Sequence, residues 1–229
     1  MLSDFKRYFE KASASEQRGE TDWWGEVRYA AYVLKKIEAK EGDVLLDVGC
    51  GDGAIGAAKS VLMPTLDIDG LDMAANLALK AELTGAYTNI LTGNVSSQEL
   101  NLPRKYTKIF SFSTLQYLTE ADIQASTYSL GKYLSPNGAI SHLSVPDREK
   151  VFVNNLNARA RKKPQWYLAL TAPLKYVLLE KEKYGGNICG YWHSPEALEK
   201  LLGCEFNFVF SCPSDSFYRF DCVITPRGG

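Results

Sequence analysis

The sequence predicts an α/β fold: a three-layer αβα, doubly wound and mostly parallel sheet. Three observations carry this. Residues 44–56, VLLDVGCGDGAIG, pass from an apolar run through a glycine-rich turn into an alanine-rich segment, the order of strand, tight turn and helix. Further short apolar runs then alternate with helix-period segments, which is the pattern of parallel βαβ units. The chain closes on two alternating segments, 205–210 and 217–225, that read as an antiparallel hairpin around Pro213–Asp215.

Taken in order, residues 1–19 read as a helix with Phe5, Tyr8, Phe9 and Ala12 on one face. Gly19 breaks it, Thr21-Asp22 supply a new cap, and residues 23–40 form a second helix that stops near Gly42. The first strand is residues 43–48, followed by a short helix over 53–62. In PTLDIDGLDMAANLALKAELTG three acids could end the second strand. Ending at Asp67 would put Pro64, which lacks an N–H, inside a central strand, so the end is placed at Asp72, with Asp69 as the alternative. Asp72 can also cap a helix over 73–83. Strands over 88–92, 108–112 and 139–145 follow, with an amphipathic helix over 120–134 before the last of them. Ser194-Pro195-Glu196 is a cap, a proline at the first turn and an early acid, and opens a helix to Leu202.

The 229 residues suffice for one sizeable core, and 45% apolar with 23% charged residues is ordinary for a globular chain. A single domain over 1–229 is expected, with 1–40 as an N-terminal helical cap and 147–190 as a substrate-side insertion rich in aromatic residues. A net charge of −1 gives no electrostatic reason to expect nucleic acid or an anionic membrane as partner. No stretch approaches the ~20 apolar residues of a membrane span, and the charged opening MLSDFKRYFEKAS lacks the apolar centre of a secretory signal. Five cysteines (50, 189, 204, 212 and 222) form no C-x-x-C pair, which argues against a zinc site or a disulfide framework. Reduced thiols in the cytoplasm and no metal are the expectation, and a homodimer is left open.

The glycine loop is the feature with chemistry. Gly51, Gly53 and Gly56 spell G-x-G-x-x-G, a nucleotide-binding pattern, while Asp47 stands two residues before Gly49. The sequence apolar-apolar-Asp-apolar-Gly-x-Gly-x-Gly resembles motif I of the class I S-adenosylmethionine (SAM)-dependent methyltransferases. The physics agrees: SAM has no pyrophosphate, and its amino-acid end carries an ammonium that a carboxylate such as Asp47 can serve. The alternative is that Asp47 only ties down the loop. Asp72 lies about 20 residues past the glycines, the spacing of a carboxylate that holds both ribose hydroxyls.

The resemblance covers residues 43–145 in motifs and the last 36 residues in layout. It implies a seven-stranded sheet whose last strand is antiparallel, with SAM as cofactor and S-adenosylhomocysteine as product. It implies that Gly49, Gly51 and Gly53 cradle the amino-acid end, that Asp47 supports it, and that Asp72 holds the ribose with Met73 against adenine. Asn94 and Val95 would read the adenine edge, although Asn94 stands where relatives often carry an acid and could equally be a turn residue. Ser111 and Phe112 would border the sulfonium, and residues 115–118 would face the transferred methyl. Thr107 also departs from an acid common in relatives.

Methyl transfer asks the protein to align nucleophile, methyl and sulfur and to keep water out. No catalytic residue is assigned. His193, at the edge of the insertion, is the candidate general base, against a structural role, and His142 is expected inside the fifth strand as a core residue. Tyr8, Trp23, Trp24 and Arg28 could cover the cofactor or merely pack. No Asn/Asp-Pro-Pro-Tyr run follows the fourth strand and no Pro-Cys nucleophile occurs, so a small-molecule acceptor, methylated at oxygen or nitrogen, is favoured over DNA or RNA. Two other readings stay open: an NAD-dependent short-chain dehydrogenase, because Tyr128 and Lys132 spell Y-x-x-x-K, and a non-catalytic SAM-binding protein.

Overall fold

The computed structural model describes residues 23–150, 191–213 and 218–227. The helix expected at 1–19, nearly all of the 147–190 insertion and most of the turn at 213–215 lie outside the described residues, as does Tyr8.

Seven strands form one sheet in the order β3-β2-β1-β4-β5-β7-β6. They are β1 (Val44–Val48), β2 (Asp67–Asp72), β3 (Asn89–Thr92), β4 (Tyr106–Phe112), β5 (Leu134–Pro146), β6 (Phe206–Ser211) and β7 (Arg219–Pro226). The first five run parallel, and β7 inserts antiparallel between β5 and β6. Among the described residues five α-helices flank the sheet: α1 (Trp23–Lys36), which precedes β1, then α2 (Ala54–Leu62), α3 (Ala75–Leu83), α4 (Glu120–Gly131) and α5 (Pro195–Leu202).

The central strands are apolar on both faces, so each face needs a helical cover. Leu45, Ile68, Phe110 and Leu143 pack with Ala30 and Val33 of α1 and with Ile55 and Ala58 of α2. Their strand neighbours Leu46, Ile109 and Ile140 face the other way and pack with Ile123 and Leu130 of α4 and Leu198 and Leu202 of α5. Burying each of the larger side chains, the valine, leucines, isoleucines and phenylalanine, contributes roughly 1.5–3 kcal/mol. Among the described residues no helix is long and apolar enough to cross a membrane.

Four of the boundaries that differ from expectation have a local reason. α1 stops at Lys36 and not at 40, because Glu38 takes φ 52° and the Ala39 N–H returns to the Leu34 carbonyl. α4 stops at Gly131 because Leu134 already pairs with Tyr106 of β4. β5 therefore begins five residues early and carries an irregularity at Pro136–Gly138, with Asn137 at φ 62°. α3 starts at Ala75 and not at Met73; the Asp72 carboxylate accepts the Ala74 N–H at 2.8 Å, one residue before the helix.

Candidate functional site

A cavity of about 550 Å³ opens at the carboxyl ends of the parallel strands. It lies where strand order reverses between β1 and β4, the place where doubly wound sheets bind ligands.

The glycines of the loop divide by role. Gly49 has φ 75°, and a Cβ there would sit 2.5 Å from the Thr114 hydroxyl. Gly51 has φ 59°, and a Cβ there would meet open space at the cavity wall. Gly53 and Gly56 serve packing: an added Cβ would lie 2.8 Å from Ala81 of α3 and 2.2 Å from the Tyr87 ring, respectively. Gly49 and Gly51 line the cavity, and Gly53 does not.

The acids of β1 and β2 are sorted by position. Asp47 is 2% exposed, lines the cavity, and accepts the Tyr87 hydroxyl at 2.9 Å. That hydroxyl in turn accepts the Gly56 N–H at 3.1 Å, so Tyr87 ties the acid to the first turn of α2. Burial, then the charge of Asp47, pushes the Tyr87 phenol well above its ordinary pKa. Asp72 ends β2 at the cavity and accepts the Gly51 N–H at 2.9 Å on one oxygen and the Ala74 N–H on the other. Burial raises its pKa despite these bonds. Asp69, the alternative to Asp72, is fully buried at the other end of β2. There Arg104 pairs with both Asp67 and Asp69, and Tyr106 donates to Asp69 at 2.9 Å. Asp69 does not reach the cavity.

Met73, Asn94, Val95 and Phe112 also line the cavity. The Asn94 side-chain oxygen already accepts the Ser96 N–H at 3.0 Å and the Ser96 hydroxyl at 2.9 Å, the Asx turn that a turn role requires. Its NH₂ is the part left to face a ligand. Thr107 links strand starts: it donates to Asp43 at 2.7 Å and accepts the Val44 N–H at 3.0 Å.

Ser111 and His193 are not brought to the cavity. Ser111 is 2% exposed and its hydroxyl meets His142 Nδ1 at 2.9 Å, because a strand residue one short of Phe112 points to the opposite face. His142 is a core residue, with Nε2 lacking a partner among the described residues. Burial first, and the nearby His193 second, push its pKa down to about 4. His193 is also 2% exposed, with Nε2 3.1 Å from the Leu115 carbonyl, and burial lowers its pKa. Its backbone bridges Asp147, which fixes the ring under the loop after β4 and away from the open space.

Tyr128 and Lys132, the Y-x-x-x-K pair, do not line the cavity either. Tyr128 packs on Phe206 of β6, ring centroids 5.7 Å apart, and Lys132 caps α4. The dehydrogenase reading therefore has no support at the site.

Sequence reasoning missed Tyr87, Thr114, Tyr29, Tyr32 and Arg219. From α1 it is Tyr29 and Tyr32 that line the cavity and flank Phe112, with ring centroids 5.4 and 6.3 Å away, while Trp23 and Trp24 stay exposed. Their i, i+3 spacing was the available signal. Tyr218 and Arg219 enter because β7 is antiparallel and so begins at the sheet edge where the parallel strands end.

No family model matches the chain. Over 151 residues it is 26% identical to a ubiquinone biosynthesis O-methyltransferase of Pectobacterium carotovorum, covering 64% of this chain and 55% of that protein. The chain thus spans about half the length of that curated relative. Among solved structures it is similar to magnesium protoporphyrin IX methyltransferase of Synechocystis PCC 6803 with bound SAH, at 14% identity, TM-score 0.60 and 97% of each chain. It is similar as well to a SAM-bound amino pentose methyltransferase of Micromonospora echinaspora, at 16% identity, TM-score 0.61, over 93% of this chain and 95% of that one.

Proposed function

We propose, from the class I methyltransferase fold that this chain carries, that the protein transfers a methyl group from SAM to an oxygen or nitrogen of a small-molecule acceptor. One observation carries the reading: Asp47, the glycine turn and Asp72 converge on a single cavity at the strand-order switch point. The residues fit the cofactor. Gly51 leaves open space where any other residue would place a Cβ. Asp72 accepts backbone N–H groups from Gly51, Ala74 and Met73 and, with about four lone-pair sites on its two oxygens, keeps acceptor capacity for a ribose hydroxyl. Asp47 offers negative charge for an ammonium beside the loop, and the NH₂ of Asn94 can donate to a ring nitrogen of adenine. Met73 and Val95 would flank the base.

When bound, the cofactor supplies an electrophilic methyl on a good leaving group. The chain's part is to position and to dry the site. Phe112, Tyr29 and Tyr32 provide an aromatic wall, and Gln116, Tyr117 and Leu118 border the space beyond it. The chain acts as one domain in this reading, with 147–190 on the acceptor side. The near-zero net charge supports a small acceptor over a nucleic acid. Incubation with methyl-labelled SAM and a metabolite extract tests the reading. Label in a low-molecular-weight product is the expected result. Label confined to protein or nucleic acid contradicts the acceptor class, and no label beyond the untreated control contradicts the enzyme in favour of a SAM-binding protein.

A further inference from the structure

The far end of the cavity holds a guanidinium that has no carboxylate partner among the described residues. Arg219 is the first residue of β7 and lies opposite Pro146 of β5. It donates through one terminal nitrogen to the Ser144 carbonyl and through the other to Gln116 Oε1 at 3.3 Å. It also lies over the Tyr218 ring, 5.2 Å from the centroid. Both acceptors are neutral, so they orient the fork without discharging it.

Two acids of the neighbouring strand segments, Asp221 and Asp147, are paired elsewhere. Asp221, two residues along and therefore on the same face of β7, pairs with Lys36 at 3.0 Å and accepts the Tyr32 hydroxyl and the Ser144 N–H. Asp147 pairs with Lys150 at 2.9 Å and accepts the Glu149 N–H. Among the described residues no carboxylate is left within salt-bridge reach of Arg219. Two of its five N–H donors are engaged there, which leaves three.

Ser144 is the hinge of this arrangement. It takes φ 60° at the register shift between β5 and β7, so its N–H serves Asp221 while its carbonyl serves Arg219. The cavity is thereby polarised. Asp47, Asp52 and Asp72 line one end. Arg219 stands at the other, three strand spacings or about 14 Å from β1. Between them lie Phe112 and Tyr29.

We infer that Arg219 is the specificity-determining contact for the acceptor, and that it binds a carboxylate on a small molecule with an apolar body. This deepens the methyltransferase reading and rests on it. An oriented, half-exposed guanidinium recognises a planar carboxylate through paired N–H bonds, and an amide of the same shape cannot replace the charge.

Calorimetry tests this in two steps. S-adenosylhomocysteine is titrated first, and the saturated protein then receives benzoate, cinnamate and octanoate, each against its primary amide. At least one carboxylate should bind 10-fold or more tightly than its amide. Arg219→Gln should reduce that preference to twofold or less and Arg219→Lys should keep part of it, with S-adenosylhomocysteine affinity in both within threefold of the parent. Absence of a carboxylate preference in the parent protein, or its persistence in Arg219→Gln, overturns the inference and leaves the methyltransferase reading intact. Should Arg219→Gln fail to fold, a preference undiminished in Arg219→Lys overturns it as well, since lysine lacks the fork. No heat with S-adenosylhomocysteine overturns both.

Discussion

At the scale of single residues, Asp72 has two duties: it pins the Gly51 and Ala74 N–H groups and presents its oxygens to the cavity. Asp72→Ala should raise the dissociation constant for S-adenosylhomocysteine by ~10–100-fold, the worth of lost charged hydrogen bonds at 1.5–3 kcal/mol. Titration calorimetry checks this, and an unchanged constant would move the ribose role elsewhere. Burial also raises the Asp72 pKa above that of an ordinary carboxylate. Affinity for S-adenosylhomocysteine should therefore begin to fall on acidification at a pH above the ordinary carboxylate range, and a constant affinity down to pH 4 would contradict that. Tyr87→Phe strips Asp47 of a donor and the Gly56 N–H of an acceptor. It should cost ~1–3 kcal/mol in urea unfolding, and an unaltered midpoint would refute the tie. Asp47 and Asp72 were legible because each sits at a fixed offset from the glycines. Tyr87 was not, since its bond to Asp47 joins residues 40 apart in sequence.

At the scale of elements, α1 is fastened to β7 by a polar clamp. The Tyr32 hydroxyl and Lys36 both reach Asp221, which is 1% exposed. Asp221→Ala leaves Lys36 and the Ser144 N–H without their carboxylate and should destabilise by ~2–4 kcal/mol. Amide exchange localises the effect: α1 and the end of β5 should lose protection together, and loss confined to β7 would contradict the clamp. Gly56→Ala forces a Cβ to within 2.2 Å of the Tyr87 ring and should lower stability by ~1–3 kcal/mol through overpacking. The elements themselves were legible from periodicity, and their ends less so. The early start of β5 depends on Leu134 finding Tyr106 across the sheet, and the end of α1 depends on a left-handed Glu38, and no local pattern announces either.

At the scale of the whole molecule, acid should weaken the fold before it reaches the ordinary carboxylate range. Burial lowers His142 from 6.5 to about 4, so between those values the unfolded chain binds a proton that the folded chain refuses. Stability is lost as pH falls through that window, by ~3 kcal/mol if the full shift is expressed. His193, also lowered by burial, acts in the same direction. Asp67, held below its usual range by hydrogen bonding to Arg104, adds to the loss at still lower pH, whereas the raised Asp72 opposes it. Urea midpoints at pH 7 and pH 5 should differ accordingly, and His142→Gln should flatten the difference; an equal slope in the variant would assign the loss to other groups. Topology was readable because alternating apolar runs and a closing hairpin admit few windings. The acceptor end was not readable, because an antiparallel β7 brings Arg219 beside Gln116 across 103 residues of chain. The account as a whole turns on which nucleoside the loop admits. Titration of the pure protein with S-adenosylhomocysteine and, separately, NADH decides it: a clear isotherm with the first and no heat with the second is the predicted result, and the reverse would contradict the account.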